Sequence, residues 1–176
     1  MKCSFGTPFV SVLIVALLCT IQITAISQDA VSIAILRQKS YYFGNTFKLN
    51  WHKASSFCRS LGLFLVSIRN QAQLDEVIEN VKNSEFFRVE KTLQLWTSGN
   101  DLGEEHQFIW TSTGDRIVFD RWSVGEPNHV KLNDCTIEHC VVLQHYEPPL
   151  PGGANYSLDD RFCQNEYFFM CESLDG

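Results

Sequence analysis

The sequence predicts a domain of the α+β class, in which two early helices precede several short strands and a binding site built from loops. Three observations support this. Apolar residues recur at helical spacing in two segments that lie before residue 82. They then occur in short runs, separated by stretches that contain Gly, Asn and Pro. Two stretches, 112–139 and 145–162, contain few candidate core residues, and loops of this length are usually functional or disordered.

The start of the chain, residues 1–27, has the pattern of a secretory signal peptide. Lys2 supplies a positive charge, residues 9–19 form an apolar run broken only by Ser11, and small residues precede the expected cleavage point. The apolar run is shorter than the roughly 20 residues of a membrane span. We therefore expect cleavage after Ser27 and a secreted, extracellular chain without membrane insertion.

The rest of the chain is long enough for one domain that buries its own core. We expect an N-terminal extension over 28–39 and a domain over 40–173. The whole sequence has 14 Lys and Arg against 20 Asp and Glu, a net charge of -6. Because no stripe of Lys and Arg interrupts this acidic balance, nucleic acid and anionic lipid are poor partners, and metal cations are better ones.

The secondary-structure elements are expected in a definite order. The aromatic-rich segment 40–49 predicts the first strand. Asn50 is a candidate N-cap for a helix that ends at Gly62, and Asn70 is a candidate N-cap for a second helix. Apolar residues share one face of that second helix, at Leu74, Val77, Ile78 and Val81. Later strands are expected at 93–97, 108–111, 140–144 and 167–171.

Side chains with hard oxygen ligands concentrate in the long loop stretches. Glu126-Pro127-Asn128 stands upstream of Glu138, and Asp159-Asp160 comes just before Cys163. Calcium takes roughly 6 to 8 oxygen ligands, and the hydroxyl groups of a sugar can complete a shell that the protein leaves incomplete. The pattern therefore predicts a calcium site that binds a ligand, and the chain is not expected to be an enzyme.

The cysteines predict disulfide bonds and one odd thiol. Of the seven cysteines, Cys3 and Cys19 lie in the expected signal peptide. Five remain, at Cys58, Cys135, Cys140, Cys163 and Cys171. Outside the cell most should be paired. Because five is odd, one thiol is free, capped or bonded to another chain.

Taken together, these features resemble a C-type lectin domain. The resemblance covers residues 40–173 and implies a C-type lectin-like fold, with two helices flanking small antiparallel sheets and a long loop region that carries the site. The run from Trp96 to Asp101 is similar to that of short secreted single-domain lectins of insects. The other features that carry the resemblance are the helix with Cys58, Trp110, Trp122, Glu126-Pro127-Asn128, Cys140, Asp159-Asp160, Cys163 and Cys171.

The resemblance implies two disulfide bonds. The first joins Cys58 to Cys171. The second ends at Cys163, and its partner is Cys135 or Cys140. Cys140 is favoured, because the family places an acidic calcium ligand two residues before this cysteine and an apolar strand after it. Cys135 is then the odd thiol, and a disulfide between two copies of Cys135 would give a homodimer.

The resemblance also implies that one principal calcium site binds the sugar. Its ligands are Glu126, Asn128, Glu138, Asp159 and Asp160. A cis peptide before Pro127, which family members use, would turn the side chains on either side of it toward one point. Asp159 stands where the family usually has Asn, so the site gains a negative charge and loses an amide donor. The Glu-Pro-Asn order is similar to that of mannose-type members, while Asp159 leaves galactose-type binding open.

A second calcium site of some family members maps onto Asp101, Glu105 and Glu138. His129 and His139 stand where further acids of that site would be. About half of the hard ligands are therefore missing.

Other functions compete with sugar binding. A protein of the same fold can bind a protein ligand, and the residues Cys135, His139, Cys140 and His145 suggest a zinc cluster. A thiol enzyme at Cys135 has no evident orienting partner. Because Glu126, Asn128 and Glu138 are retained, we expect glycans on microbial or host surfaces as ligands, with innate immunity, reproduction and haemolymph binding as open roles.

Two further expectations concern single side chains. Asn155-Tyr156-Ser157 is an N-glycosylation sequon beside the proposed site, which predicts a glycoprotein. Trp96, Trp110 and Trp122 are expected to pack in the core rather than to stack on sugars.

Overall fold

A sheet of seven strands runs through the domain, with a separate two-stranded hairpin in the long loop region. The computed structural model describes residues 39–133, 135–148 and 155–174, and Lys39–Leu174 form one compact unit. The expected signal peptide 1–27 and almost all of the extension 28–39 lie outside these residues. The described elements are β1 (Tyr41–Leu49), α1 (Trp51–Ser60), β2 (Phe64–Leu65), α2 (Gln71–Asn83), a short 3-10 helix (Phe86–Arg88), β3 (Thr92–Asn100), β4 (Ile109–Trp110), β5 (Lys131–Asn133), β6 (Thr136–Ile137), β7 (Cys140–Tyr146), β8 (Ser157–Arg161) and β9 (Tyr167–Glu172).

Both helices begin at the asparagines that the sequence predicts. The side chain of Asn50 accepts a hydrogen bond from the Lys53 N–H at 2.9 Å, and the side chain of Asn70 accepts one from the Gln73 N–H at 3.0 Å. Each cap satisfies a backbone donor that the first helical turn leaves without a partner. After α1, Gly62 adopts a φ of 73°, which glycine accommodates without a Cβ clash.

The strands are arranged in the order β1-β9-β3-β7-β8, with β2 paired to β9 and β4 paired to β3. The β3–β9 pair is parallel and the other pairs are antiparallel. The predicted α+β class is confirmed, and the strands predicted at 93–97, 140–144 and 167–171 lie within β3, β7 and β9. Strand β8 forms in a stretch that the sequence assigned to a loop. The sequence gives no hydrophobic signal for this strand, because three of its four buried residues, Ser157, Asp159 and Asp160, are polar.

Two hydrophobic clusters fill the space around the sheet. One gathers α2 residues and Leu95, Trp110 and Leu143, and the other surrounds Trp96 and the disulfides. Trp96 and Trp110 are fully buried, and the partly buried Trp122 packs against Phe108 with ring centroids 5.1 Å apart. The expectation that these indoles belong to the core therefore agrees with the structure.

Two disulfide bonds join the elements, in the pairing that the resemblance implies. Cys58 of α1 is bonded to Cys171 of β9, and Cys140 of β7 is bonded to Cys163, which follows β8. Cys135 is free and exposed. Within the described residues, no helix combines the length and the apolar character that a bilayer crossing requires.

Candidate functional site

The candidate site lies where the loop around Pro127 meets strand β8. The Glu126–Pro127 peptide bond is cis. Across Pro127, the Asn128 Nδ2 atom donates a hydrogen bond to Glu126 Oε1 at 2.9 Å. The acid and the amide that the sequence singles out are therefore brought into direct contact.

The side chain of Asp160 in β8 binds the backbone N–H groups of this loop. Its Oδ1 accepts the Asn128 N–H at 3.0 Å, and its Oδ2 accepts the His129 N–H at 2.9 Å. The Asp160 side chain is fully buried, so these two donors replace the water that its charge would otherwise have. Asn128 Oδ1 in turn accepts the Val130 N–H at 3.0 Å. Strand β8 thus fixes the position of the loop.

Three carboxylates converge at this junction. Among the residues that the structure describes, Glu126, Asp159 and Asp160 each offer an oxygen within 4.8 Å of the others. One oxygen of Glu126, Oε2, is buried and has no hydrogen-bond partner. A buried carboxylate oxygen without a partner is costly unless a cation or a donor reaches it. A cluster of hard, anionic oxygens with a free ligand atom fits calcium.

Glu138, which the sequence predicts as a ligand of the same site, is not one of the three residues of this cluster. It is buried just before β7, and its N–H donates to the Val130 carbonyl at 3.1 Å. Its Oε2 atom is buried and, like Glu126 Oε2, lacks a partner. Its Oε1 atom is 3.9 Å from the Arg161 Nη1 atom. Glu138 is therefore a further candidate ligand, presented from the segment between β6 and β7.

Three carboxylates of the site, those of Glu126, Asp159 and Glu138, are harder to ionise than ordinary carboxylates because their pKa values are raised. Burial raises the pKa of Glu126 to about 7, and the nearby charge of Asp159 adds to the rise. Burial also raises the pKa of Asp159 to about 6, although the Arg161 guanidinium acts in the opposite direction. The pKa of Glu138 is raised by burial as well. Such shifts are expected where like charges share a desolvated site, and a bound cation would offset them.

Two partners of Asp159 were not anticipated from the sequence. Gln144 Nε2 donates to Asp159 Oδ2 at 2.8 Å, and Arg161 Nη1 forms a short ion pair with Asp159 Oδ1. Gln144 is on β7, opposite the start of β8, and Arg161 is two residues along β8 from Asp159. Side chains two residues apart in a strand lie on the same face, so a strand over β8 would predict that Asp159 and Arg161 are neighbours. That prediction requires β8 to be recognised as a strand from the sequence.

Comparison with known proteins identifies the family. Residues 47–173 match the family model for the lectin C-type domain, which spans most of the chain. The chain belongs to the C-type lectin domain family. Members of this family bind carbohydrate, and the resemblance seen in the sequence is confirmed.

The relatives of this C-type lectin domain include several insect lectins. The C-type lectin mosGCTL-7 of Culex quinquefasciatus is 31% identical over 128 residues, which are 72% of this chain and 69% of that protein. Salivary C-type lectin 1 of Aedes albopictus is 29% identical over 125 residues, covering 71% and 76% of the two chains. These relatives are named as lectins, a class that binds sugars without converting them.

Solved structures show the same fold. The cow carbohydrate-recognition domain of CD23, determined in the presence of a GlcNAc2Man3 oligosaccharide, is 27% identical, with a TM-score of 0.57 over 78% of this chain and 89% of that one. The mouse scavenger receptor C-type lectin domain has a TM-score of 0.60 at 21% identity, over 78% and 92% of the two chains.

Asp101, one of the predicted ligands of a second calcium site in this C-type lectin domain, is in contact with histidines. Asp101 is buried, and its Oδ1 and Oδ2 atoms lie 2.8 Å from His139 Nδ1 and 2.9 Å from His129 Nε2. Its Oδ2 also accepts the His106 N–H at 2.7 Å. Glu105 Oε1 lies 3.7 Å from Nε2 of the exposed His106 ring. Two imidazoles thus contact the carboxylate of Asp101, and a calcium ion at this position remains a prediction.

Cys140 is not available to the alternative zinc cluster. The sulfur of Cys140 is in a disulfide, so it has no thiolate to offer a metal. His145 is buried, and its ring stacks on Tyr156 with centroids 4.1 Å apart. At the sequon, Asn155 is exposed and its carbonyl accepts a hydrogen bond from Arg121 at 2.9 Å.

Proposed function

We propose that this chain is a secreted, calcium-dependent carbohydrate-binding protein whose ion is held by Glu126, Asn128, Glu138, Asp159 and Asp160. Two observations about one group of side chains carry the proposal. Glu126, Asp159 and Asp160 each bring an oxygen within 4.8 Å of the others, and the Oε2 atom of Glu126 is buried without a hydrogen-bond partner. Asp160 and Asn128 lock the loop through their hydrogen bonds, so the ligands are ordered before a cation arrives.

The Glu126–Asn128 pair supplies the polar contacts for a sugar. When bound, calcium would coordinate sugar hydroxyl groups that complete its oxygen shell. A Glu126 carboxylate accepts a hydrogen bond from such a hydroxyl, and the Asn128 amide donates one. Asp159, when ionised, only accepts. The Glu-Pro-Asn order supports a mannose-type specificity. The related CD23 domain was determined in the presence of an oligosaccharide that contains GlcNAc and mannose.

A second candidate function, the binding of a protein ligand, is favoured by one observation. Val118, Val124 and Leu132 are large apolar side chains that are exposed within the predicted loop stretch 112–139. Exposed apolar residues of this kind are typical of protein interaction surfaces when they lie together. A protein ligand recognised there would bind whether or not calcium is present.

Two further features belong to the proposal. The exposed thiol of Cys135 is available to pair with a second copy, which would present two weak sugar sites together. Exposed Asn155 begins a sequon and is proposed to carry a glycan.

A glycan array probed in calcium and again in EGTA tests the proposed function. The proposal requires binding to defined sugars that is lost in EGTA, with mannose-containing glycans preferred to galactose-containing ones. A preference for galactose-containing glycans would contradict the mannose-type specificity but would still support calcium-dependent sugar binding. If no glycan binding is sensitive to the chelator and the chain captures a protein without calcium, the lectin hypothesis is wrong and the chain is a protein-binding module.

A further inference from the structure

Asp159 is the carboxylate of the site whose two oxygens are both held by side chains. Gln144 Nε2 donates to Oδ2 at 2.8 Å, and the Arg161 guanidinium is paired with Oδ1. By contrast, Glu126 and Glu138 each keep one buried oxygen without a partner. Of the proposed acidic ligands, Asp159 is thus the one paired most closely with a positive charge.

Arg161 reaches several groups of the site with one nitrogen. Besides Asp159, its Nη1 atom donates to the Asp160 carbonyl at 3.0 Å and lies 3.9 Å from Glu138 Oε1. The Arg161 side chain is 22% exposed and the Asp159 side chain is 3% exposed. Because solvent screens such a pair incompletely, the attraction is stronger than that of a surface ion pair.

We propose that Arg161 is an internal counter-cation of the site, which competes with calcium for Asp159 and so lowers the calcium affinity. This inference rests on the proposed function, since it concerns the same ion. The physical reason is that a guanidinium and a metal cation on one carboxylate repel each other. Calcium binding at Asp159 therefore requires the Arg161–Asp159 pair to loosen, and the free energy of that pair is subtracted from the binding energy.

The sequence supplies a reason for such a residue. Asp159 adds a fourth carboxylate where the C-type lectin pattern has Asn, and Arg161 adds one positive charge two residues away on β8. The pair keeps the cluster closer to charge balance when calcium is scarce. A site built in this way fills at higher calcium concentration than the same ligands would without the arginine, and it empties as calcium falls.

A purely structural role for Arg161 makes a different prediction. If Arg161 only braced β8, its removal would lower the melting temperature equally with and without calcium, and would leave the calcium affinity unchanged or weaker. A competing role predicts that removal destabilises the calcium-free domain most, because four carboxylates are then left without their counter-ion.

Calorimetric titration with calcium chloride distinguishes these roles, using the wild type, Arg161→Gln and a charge-matched control, Arg88→Gln. Arg88 is 76% exposed and pairs with Glu85, away from the proposed ligands. We expect Arg161→Gln to bind calcium about 5- to 150-fold more tightly than the wild type, the range of ordinary coupling between sites. Arg88→Gln should stay within about twofold of the wild type, as expected for an exposed pair. In an Asp159→Asn background, the gain from Arg161→Gln should shrink.

The melting temperature in EGTA gives a second measurement that does not depend on bound calcium. Arg161→Gln should melt below the wild type in EGTA and show a larger rise on addition of calcium. If the wild type binds calcium but Arg161→Gln binds it equally or more weakly, the counter-cation role is overturned and the lectin proposal stands. If neither protein binds calcium, both proposals are overturned. If Arg161→Gln alone binds calcium, the counter-cation role is supported in its strongest form.

Discussion

Asn128 donates a hydrogen bond to Glu126 across the cis peptide bond before Pro127, with Nδ2 and Oε1 2.9 Å apart. The contact leaves the other Glu126 oxygen buried and without a partner, next to two more carboxylates. The pair is therefore ordered at the edge of an anionic cluster, with donor and acceptor side by side. This is the arrangement that a hydroxyl-bearing ligand can use once a cation neutralises the cluster.

The first prediction concerns stability against pH without calcium. The pKa values of Glu126 and Asp159 are raised in the folded domain, to about 7 and about 6, from 4.5 and 3.8. The folded state therefore holds more protons than the unfolded state between about pH 4 and pH 7, so its stability falls as the pH rises through that window.

We expect a higher melting temperature at pH 5 than at pH 7.5 in EGTA, measured by circular dichroism. The control is the Glu126→Gln, Asp159→Asn double variant, in which this part of the pH dependence should be reduced. If the melting temperature of the wild type instead rises between pH 5 and pH 7.5 in EGTA, the raised pKa values of Glu126 and Asp159 are contradicted.

Calcium affinity should show the opposite dependence on pH. Calcium ligands must be deprotonated, so protons on Glu126 and Asp159 compete with the ion. Lowering the pH from 7.5 to 5.5 should weaken calcium binding about tenfold or more, as measured by calorimetry at constant ionic strength. Equal affinities at the two pH values would show that these carboxylates are not ligands.

The sequence predicts most of the scaffold and only part of the site. Asn50 and Asn70 mark helix starts through local chemistry, which does not depend on the rest of the fold. The contacts of Asp159 with Gln144 and Arg161 depend on the pairing of β7 with β8, and β8 buries polar residues that give no hydrophobic signal. His129 and His139 are far from Asp101 in sequence, so only the family resemblance, and not a local pattern, places them beside it.

A glycine of β1 provides a test of the packing between the first and last strands. A methyl group at Gly44 would overlap the Phe169 ring, which itself packs against Phe47 and Phe57. We expect Gly44→Ala to lower the free energy of unfolding by about 1–3 kcal/mol, the usual cost of overpacking. Urea denaturation measures this change. Gly103→Ala is the matched control, because a Cβ there meets no atom within 4 Å. Equal stability of the two variants would contradict the β1–β9 packing.

The free thiol of Cys135 predicts a covalent dimer. Because Cys135 is exposed and the other described cysteines are paired within the chain, oxidation should join two copies through this residue. Non-reducing electrophoresis should show a band at twice the mass, which disappears on reduction and in Cys135→Ser. A monomer band in both lanes, from protein secreted by cells, would reject the dimer.

A calorimetric titration of the purified chain with methyl α-mannoside, in calcium and in EGTA, tests calcium-dependent sugar binding directly. The Glu126→Ala, Asn128→Ala double variant is compared with Glu79→Ala, which removes an exposed acid from α2. We expect the wild type and Glu79→Ala to bind the sugar in calcium and to lose that binding in EGTA. The double variant should not bind it in either condition, while its disulfide-held core stays folded. Sugar binding that survives both EGTA and the double substitution would contradict the proposed calcium-dependent binding.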